Sequence, residues 1–354
     1  MNLLESTIAR ISEPDRDAAA SARARQDTLT KPRGSLGRLE DLSVKIAGIA
    51  GCPRPRLAPG AVFVMAGDHG VCAEGVSAYP SEVTAQMVLN FLGGGAAINV
   101  LARREGARVV VVDVGVASDL APSPNLYIKK VRPGTANMAL GPAMSRDEAR
   151  RAVEAGIEAF ETEFARAPFG IAATGDMGIG NTTPSTALAA LFTGKSPREL
   201  VGRGTGVDDA GLERKVSAIE RALSVNAPSP SDALGALAAV GGLEIGAIAG
   251  AMLAAAANRV PVLVDGFISG AGALIARGLA PLSVEYMIAA HASADNGHRA
   301  MLASLGLEPL LDLGMRLGEG TGAAIAFGIC DAACKTLDEM ATFGDAGVSE
   351  KADR

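Results

Sequence analysis

In Arg108-Val-Val-Val-Val-Asp-Val114 a run of β-branched residues is interrupted by a single acid. Branched side chains suit the pleat of a strand and are crowded in a helix. The run lacks the alternation of a sheet with one wet face, so both faces of this strand are predicted to be buried, as in a parallel sheet covered by helices. The same pattern recurs on either side. Ala61-Val-Phe-Val-Met-Ala66, Gly170-Ile-Ala-Ala-Thr174, Val260-Pro-Val-Leu-Val-Asp265 and Tyr286-Met-Ile-Ala-Ala290 are short apolar runs closed by Gly, Asp, His or Ser. Between them lie segments of helical pattern at Val83 to Arg103, Arg146 to Ala165, Asp208 to Val225 and Gly242 to Ala257.

Strands alternating with helices predict an α/β fold, a parallel sheet with helices on both faces, over residues 56–304. In such sheets ligands bind at the carboxyl ends of the strands, where these Gly, Asp and His residues fall. The two ends of the chain do not alternate. Leu3, Ile8 and Ile11 have helical spacing, Lys31 to Gly37 interrupts, and Arg38 to Ile49 resumes. Residues 1–55 and 305–345 are therefore expected to pack together as a small helical domain, and the polar residues 346–354 to form a frayed tail.

The 354 residues carry a net charge of −6 and no basic block, which disfavours nucleic acid as the main partner. Met1-Asn-Leu-Leu-Glu-Ser lacks a basic segment leading into an apolar one. The alanine-rich run Gly246 to Ala257 is too short to span a bilayer. The expectation is a soluble, cytoplasmic protein without a membrane partner. Cys330 and Cys334 stand four apart among Phe327, Ile329, Ala332 and Ala333, and read as buried thiols. His291 and His298 flank Ser293 and Gly297 in no metal-binding pattern. No metal site and no cofactor are expected.

Three glycine-rich turns carry the chemistry. Leu313-Gly-Met-Arg-Leu-Gly-Glu319-Gly-Thr-Gly322 holds one carboxylate between glycines ahead of an apolar helix starting near Thr321. Free N–H groups of that helix would point at whatever Glu319 touches, although a first-turn carboxylate favoured by the helix dipole fits the same pattern. Thr174-Gly-Asp176-Met-Gly-Ile-Gly-Asn-Thr-Thr183 lets N–H groups converge on an anion, with Asn181, Thr182 and Thr183 as further donors. It is neither a Walker A loop nor a GxGxxG dinucleotide turn. In Gly202-Arg-Gly-Thr-Gly-Val-Asp-Asp209 the acids open a helix, on which Lys215 reads equally as a phosphate ligand or a solvated lysine. Asp68 and His69 with Ser77 or Ser269 are a weak case for a hydrolytic triad, because no nucleophile elbow accompanies them.

Taken in order, these turns resemble the nicotinate-nucleotide–dimethylbenzimidazole phosphoribosyltransferases. The resemblance also covers Lys31 to Glu40, Gly67 to Val71, Gly75 to Met87, Gly94 to Asn99, Asp265 to Ser269 and His291 to His298. It implies a Rossmann-like sheet domain, a small helical domain from both chain ends, and a homodimer. It also implies that nicotinate mononucleotide and 5,6-dimethylbenzimidazole give α-ribazole 5′-phosphate and nicotinate, with inversion at the anomeric carbon. Matched to this sequence, the general base is Glu319 and a second active-site carboxylate is Asp176. The nucleotide is held by Gly175, Gly178, Ile179, Gly180, Asn181, Thr182, Thr183, Lys215, Ser293 and Gly320. The base pocket falls on Tyr79, Gln86, Met87, Met315 and Leu317. Asp176 and Asp295 stand where the family usually has Glu, and the first shortens the reach of the acid by one methylene. A relative acting on adenine, benzimidazole or a phenol, and a non-catalytic nucleotide-binding protein, remain the competing readings. An NAD-dependent dehydrogenase is disfavoured by the missing fingerprint.

Overall fold

The computed structural model describes residues 1–204 and 206–349. Six parallel strands form one sheet: β1 (Gly60–Gly67), β2 (Arg108–Gly115), β3 (Leu126–Ile128), β4 (Ile171–Met177), β5 (Val262–Val264) and β6 (Met287–Ala289), in spatial order β3-β2-β1-β4-β5-β6. This is the doubly wound order, with its switch point between β1 and β4. The helices in chain order are α1 (Leu3–Arg10), α2 (Arg16–Gln26), α3 (Arg38–Ala50), α4 (Glu82–Leu92), α5 (Ala97–Arg104), α6 (Arg146–Arg166), α7 (Thr182–Thr193) and α8 (Pro197–Leu200). They continue as α9 (Asp209–Asn226), α10 (Ala233–Val240), α11 (Leu243–Ala257), α12 (Phe267–Leu279), α13 (His298–Leu305), α14 (Thr321–Glu339) and α15 (Phe343–Ala346).

The continuous apolar strands are explained by two cores. Ala61, Phe63 and Met65 of β1 join Val110, Val112 and Val114 of β2 on the face covered by α6 and α11. Val62, Val64 and Ala66 face the other way, against Ile46 of α3, Ile98 of α5 and Ala323, Phe327, Cys330 and Cys334 of α14. Every residue of β1 is buried, so neither face carries polar side chains. On the first face α6 and α11 touch backbone to backbone. A Cβ on Gly156 would overlap the Ala247 carbonyl, and one on Gly250 the Val153 carbonyl. The alanine and glycine content of α11 is thus a packing requirement, and nearly all of this helix is buried.

The chain ends meet. Thr30 N–H donates to Ala341 O at 3.0 Å and Phe343 N–H to Thr28 O at 2.9 Å, while Ala22, Ala47 and Leu337 close a small core among α2, α3 and α14. Helix α1 packs instead on α6 and α11, and α14 also covers the sheet at β4 and β5. Residues 350–354 of the expected tail, and Thr205 in the second glycine turn, lie outside the described residues.

Several boundaries differ from expectation. The apolar segment 82–104 is 23 residues long, but it breaks at Gly93-Gly94-Gly95 into helices of 11 and 8 residues, each too short to cross a bilayer. Strand β4 runs on past Thr174 to Met177, because Gly175, Asp176 and Met177 pair in register with Val64, Met65 and Ala66 of β1. Asp176 therefore sits in the strand and not in the turn. Helices α10 and α13 and strand β3 were not expected, although α13 has the helical spacing His298, Met301, Leu302 and Leu305 on its buried side. α10 is apolar on almost every side, and β3 has three residues.

Candidate active site

The carboxyl ends of β1, β4, β5 and β6 present His69, Asp176, Asp265 and His291 along one rim. Beside it lies a cavity of about 290 Å³, lined by Tyr79, Asp176, Asn181, Thr182, Gly204, Gly266, Phe267, Ile268, His291, Ser293, Asp295, Arg316, Leu317 and Gly318. Asp176 comes from β4 and accepts a hydrogen bond from Asn181 Nδ2 at 2.9 Å on Oδ2, while its buried Oδ1 has no partner among the described residues. Gly318 lies against this carboxylate, and a Cβ there would stand 3.0 Å from Oδ1. Burial first, then the charge of Asp265, pushes the Asp176 carboxyl well above the usual carboxylate range.

Glu319 follows directly. It is buried and adopts φ 62°, between Gly318 at 80° and Gly320 at 90°. Its Oε2 accepts the Ile98 N–H of the first turn of α5 at 3.2 Å. Burial raises this carboxyl above its ordinary value, the Ile98 N–H opposes the rise, and Asp265 adds to it. The expected free N–H groups at the start of α14 are already engaged. Gly320 N–H and Ala323 N–H donate to Asp265, and Thr321 N–H to Gly318 O. Both backbone groups of Gly320 thus have partners inside the protein, since its carbonyl accepts from Ala324 N–H.

The Gly178–Asn181 turn crosses the sheet at the switch point. Gly178 packs so closely on the Gly67 carbonyl that a Cβ would overlap it, and Gly180 covers the Cys72 thiol. Gly175 lies against the 319–320 peptide and also has no room for a Cβ. Ile179 N–H donates to Thr84 Oγ1 at 3.1 Å. Thr183 is buried at the start of α7 with its hydroxyl unpaired among the described residues. Lys215 of α9 is fully buried, so it is no solvated lysine. Its Nζ donates to Thr182 Oγ1 and Gly202 O, both at 2.9 Å, and burial pushes its pKa down to about 8 against the pull of Asp295. Asp208 caps α9 through Gly211 N–H at 2.8 Å, as its place before the helix suggested. Ser293 N–H donates to His298 Nδ1 at 2.9 Å, and the Ser293 hydroxyl contacts Asp295.

Of the expected base-pocket residues, Tyr79 and Leu317 line the cavity. Gln86 is exposed on α4, Met87 is half-buried against the second core, and Met315 is half-buried with its carbonyl accepting Ala294 N–H at 2.9 Å. The structure adds Arg316, Phe267, Ile268, Asp265 and His291, which the sequence reading had given no role. Arg316 stood within the Glu319 segment. Asp265 closes an apolar strand in a fold that binds at strand ends, which was the available signal. For the triad reading with Ser269, His69 Nε2 faces Glu244 at 2.9 Å while Ser269 pairs with Thr174 at 3.0 Å.

A doubly wound sheet with a glycine turn, a buried lysine and the buried carboxylates Asp176, Asp265 and Glu319 at its rim is the equipment of a glycosyl-transferring nucleotide enzyme. The sequence model of a family described as Phosphoribosyltransferase matches residues 11–348, and the chain belongs to that family. Its similar relatives narrow the kind. A protein of Roseiflexus sp. RS-1 is 63% identical over 351 residues, covering 99% of each chain, and one of Chloroflexus aggregans is 60% identical over 351 residues, again 99% of each. Both are named nicotinate-nucleotide–dimethylbenzimidazole phosphoribosyltransferase. The crystal structure of an enzyme so named from Thermus thermophilus superposes with a TM-score of 0.90 at 49% identity, over 95% of this chain and all of that one.

Proposed function

We propose that this protein transfers the 5-phosphoribosyl group from nicotinate mononucleotide to 5,6-dimethylbenzimidazole, releasing nicotinate and α-ribazole 5′-phosphate. The observation that carries this reading is Asp176 in the cavity wall with Gly318 packed against its carboxylate and the buried Glu319 next in the chain, both acids with carboxyls raised by burial. Nicotinate in the nucleotide is a pyridinium. As its bond to the ribose anomeric carbon breaks, the pair stays on the ring nitrogen and the leaving group departs without gaining negative charge there. One benzimidazole nitrogen forms the new bond from the opposite face, which inverts the centre. The ring then carries positive charge, and Glu319 takes the proton from its distal N–H. The phosphate is assigned to the Gly175–Thr183 turn with Lys215 and Ser293, and the entering ring to Tyr79 and Leu317 in the cavity wall; Gly320, Gln86, Met87 and Met315 keep ligand roles on the family match alone. Asp176 faces the ribose. Holding both rings on one axis through the ribose supplies much of the acceleration.

The helices of 1–55 and 305–345 act in this reading as the small unit that brings Glu319 to the rim of the 56–304 sheet. The protein works as a homodimer, supported by the exposed Leu89 and Val100 on the consecutive helices α4 and α5. Its setting is the cytoplasm, whose reducing conditions suit four free cysteines. The test is a product assay: nicotinate mononucleotide with a panel of 5,6-dimethylbenzimidazole, benzimidazole, adenine and phenol, products identified by mass. The highest kcat/KM is expected for 5,6-dimethylbenzimidazole. A higher value for another base would reassign the acceptor, and no product with any base would remove the enzymatic reading.

A further inference from the structure

Asp265 is wholly buried directly after β5, far from Glu319 in sequence and bonded to the same turn. Its Oδ2 accepts Gly320 N–H at 3.2 Å, and its Oδ1 accepts Ala323 N–H at 2.8 Å. One carboxylate thus spans the first turn of α14, whose own cap position, Gly320, has no side chain to offer. The residue before Gly320 is Glu319, held in the left-handed region that L side chains avoid. Gly318 and Gly320 take such angles freely, but Glu319 does not. The 319–320 peptide is also wedged against Gly175 of β4. The turn is therefore gripped between two strands, by steric contact at β4 and by hydrogen bonds at β5.

We infer that Asp265 is a positioning residue for the reaction: it clamps the 319–323 turn so that Glu319 stays in its disfavoured conformation with its carboxylate set beside Asp176. This rests on Glu319 being the base. The charge of Asp265 has a second consequence. Among the described residues the ionisable groups near the Glu319–Asp265 pair include Asp176 from β4, Glu244 of α11, whose charge acts on Asp176, His69 against Glu244, and His291 after β6, whose Nε2 lies 3.6 Å from Asp265 Oδ1. Asp265 makes the Glu319 carboxylate harder to form and more basic once formed.

Asp265→Asn keeps the size, removes the charge and turns one of the two accepting oxygens into a donor that cannot take its N–H, whereas Asp265→Glu keeps the charge and spoils the fit. In Asp265→Asn, kcat should fall roughly 10²-fold, the scale of a catalytic group displaced by about 1 Å. KM for nicotinate mononucleotide should stay within about threefold, and the acid limb of the kcat–pH profile should move to lower pH. In Asp265→Glu, kcat should fall with the acid limb in place. An unchanged kcat in Asp265→Asn, an equal loss spread over KM, or an unmoved acid limb would overturn the inference. Glu319→Gln in the same assay separates the two levels: if it stays active, the reading of Glu319 as base has failed, whatever Asp265 does. Denaturation of Asp265→Asn, Glu319→Gly and the double variant covers the case in which the first folds poorly. Glycine at 319 needs no clamp, so the loss caused by Asp265→Asn should shrink in that background. An equal loss in both would show that Asp265 serves only the start of α14.

Discussion

Glu319→Gln keeps the size of the side chain and removes its capacity to take a proton. Its kcat should drop roughly 10²–10⁴-fold, the range for a positioned base, with nucleotide KM little changed in steady-state kinetics. In the wild type the base must be ionised, and burial raises its carboxyl, so kcat should decline as pH falls, at a higher pH than an ordinary glutamate would give. Lys215 predicts the opposite limb. Burial pushes its pKa down to about 8, so its charge disappears above that pH and KM for nicotinate mononucleotide should climb there. Lys215→Ala should raise that KM roughly ten- to hundredfold at pH 7, since a charge-assisted hydrogen bond contributes about 1.5–3 kcal/mol. It should also abolish the alkaline rise, and the dephosphorylated nucleoside should show little of either effect. At this scale the sequence named Glu319, Asp176 and Lys215. It held no information on their protonation, because desolvation depends on which distant strands and helices enclose each group. Lys215 illustrates this: its pattern on α9 was compatible with solvent, and only the 202–204 loop and Thr182 folding over it make it a buried cation.

The elements are limited by backbone contact. Gly250→Ala in α11 improves intrinsic helix propensity by about 1 kcal/mol. Its new methyl, however, would overlap the Val153 carbonyl of α6. Overpacking against backbone costs about 1–3 kcal/mol or more, so the packing term should win. Urea denaturation should show net destabilisation, and a gain in stability would mean that the two helices part easily. Strand β4 teaches the related lesson about boundaries. Thr174-Gly-Asp-Met-Gly looks like a turn from Gly175 onwards, because glycine and aspartate are poor strand formers. Pairing with Val64 to Ala66 of β1 extends the strand by three residues and places the Asp176 carboxylate at its end.

At the scale of the whole molecule, Leu89 and Val100 leave apolar side chains in solvent on α4 and α5, at 58% and 55% exposure, within a segment that is otherwise strongly apolar. Leu89→Asp/Val100→Asp should convert the proposed dimer into monomers at micromolar concentration, read by sedimentation or by size exclusion with light scattering. A double variant that still sediments as a dimer would move the interface elsewhere. A wild type that is monomeric would remove it.

The division of labour between sequence and structure follows from the range of the forces. The α/β class, the strand cores and the three glycine turns are legible along the chain. These depend on local sterics and on hydrophobic runs, which a chain carries wherever it goes. It also carried the acids and the lysine in the spacing of the family. Folding alone settles that Asp265 takes two N–H groups at the start of α14, that Asp176 loses its solvent, and that Gln86 is exposed and takes no part in lining the cavity that Tyr79 and Leu317 line. Each of these depends on side chains brought together from remote parts of the chain, and burial and hydrogen-bond partnership have no period along a sequence to betray them.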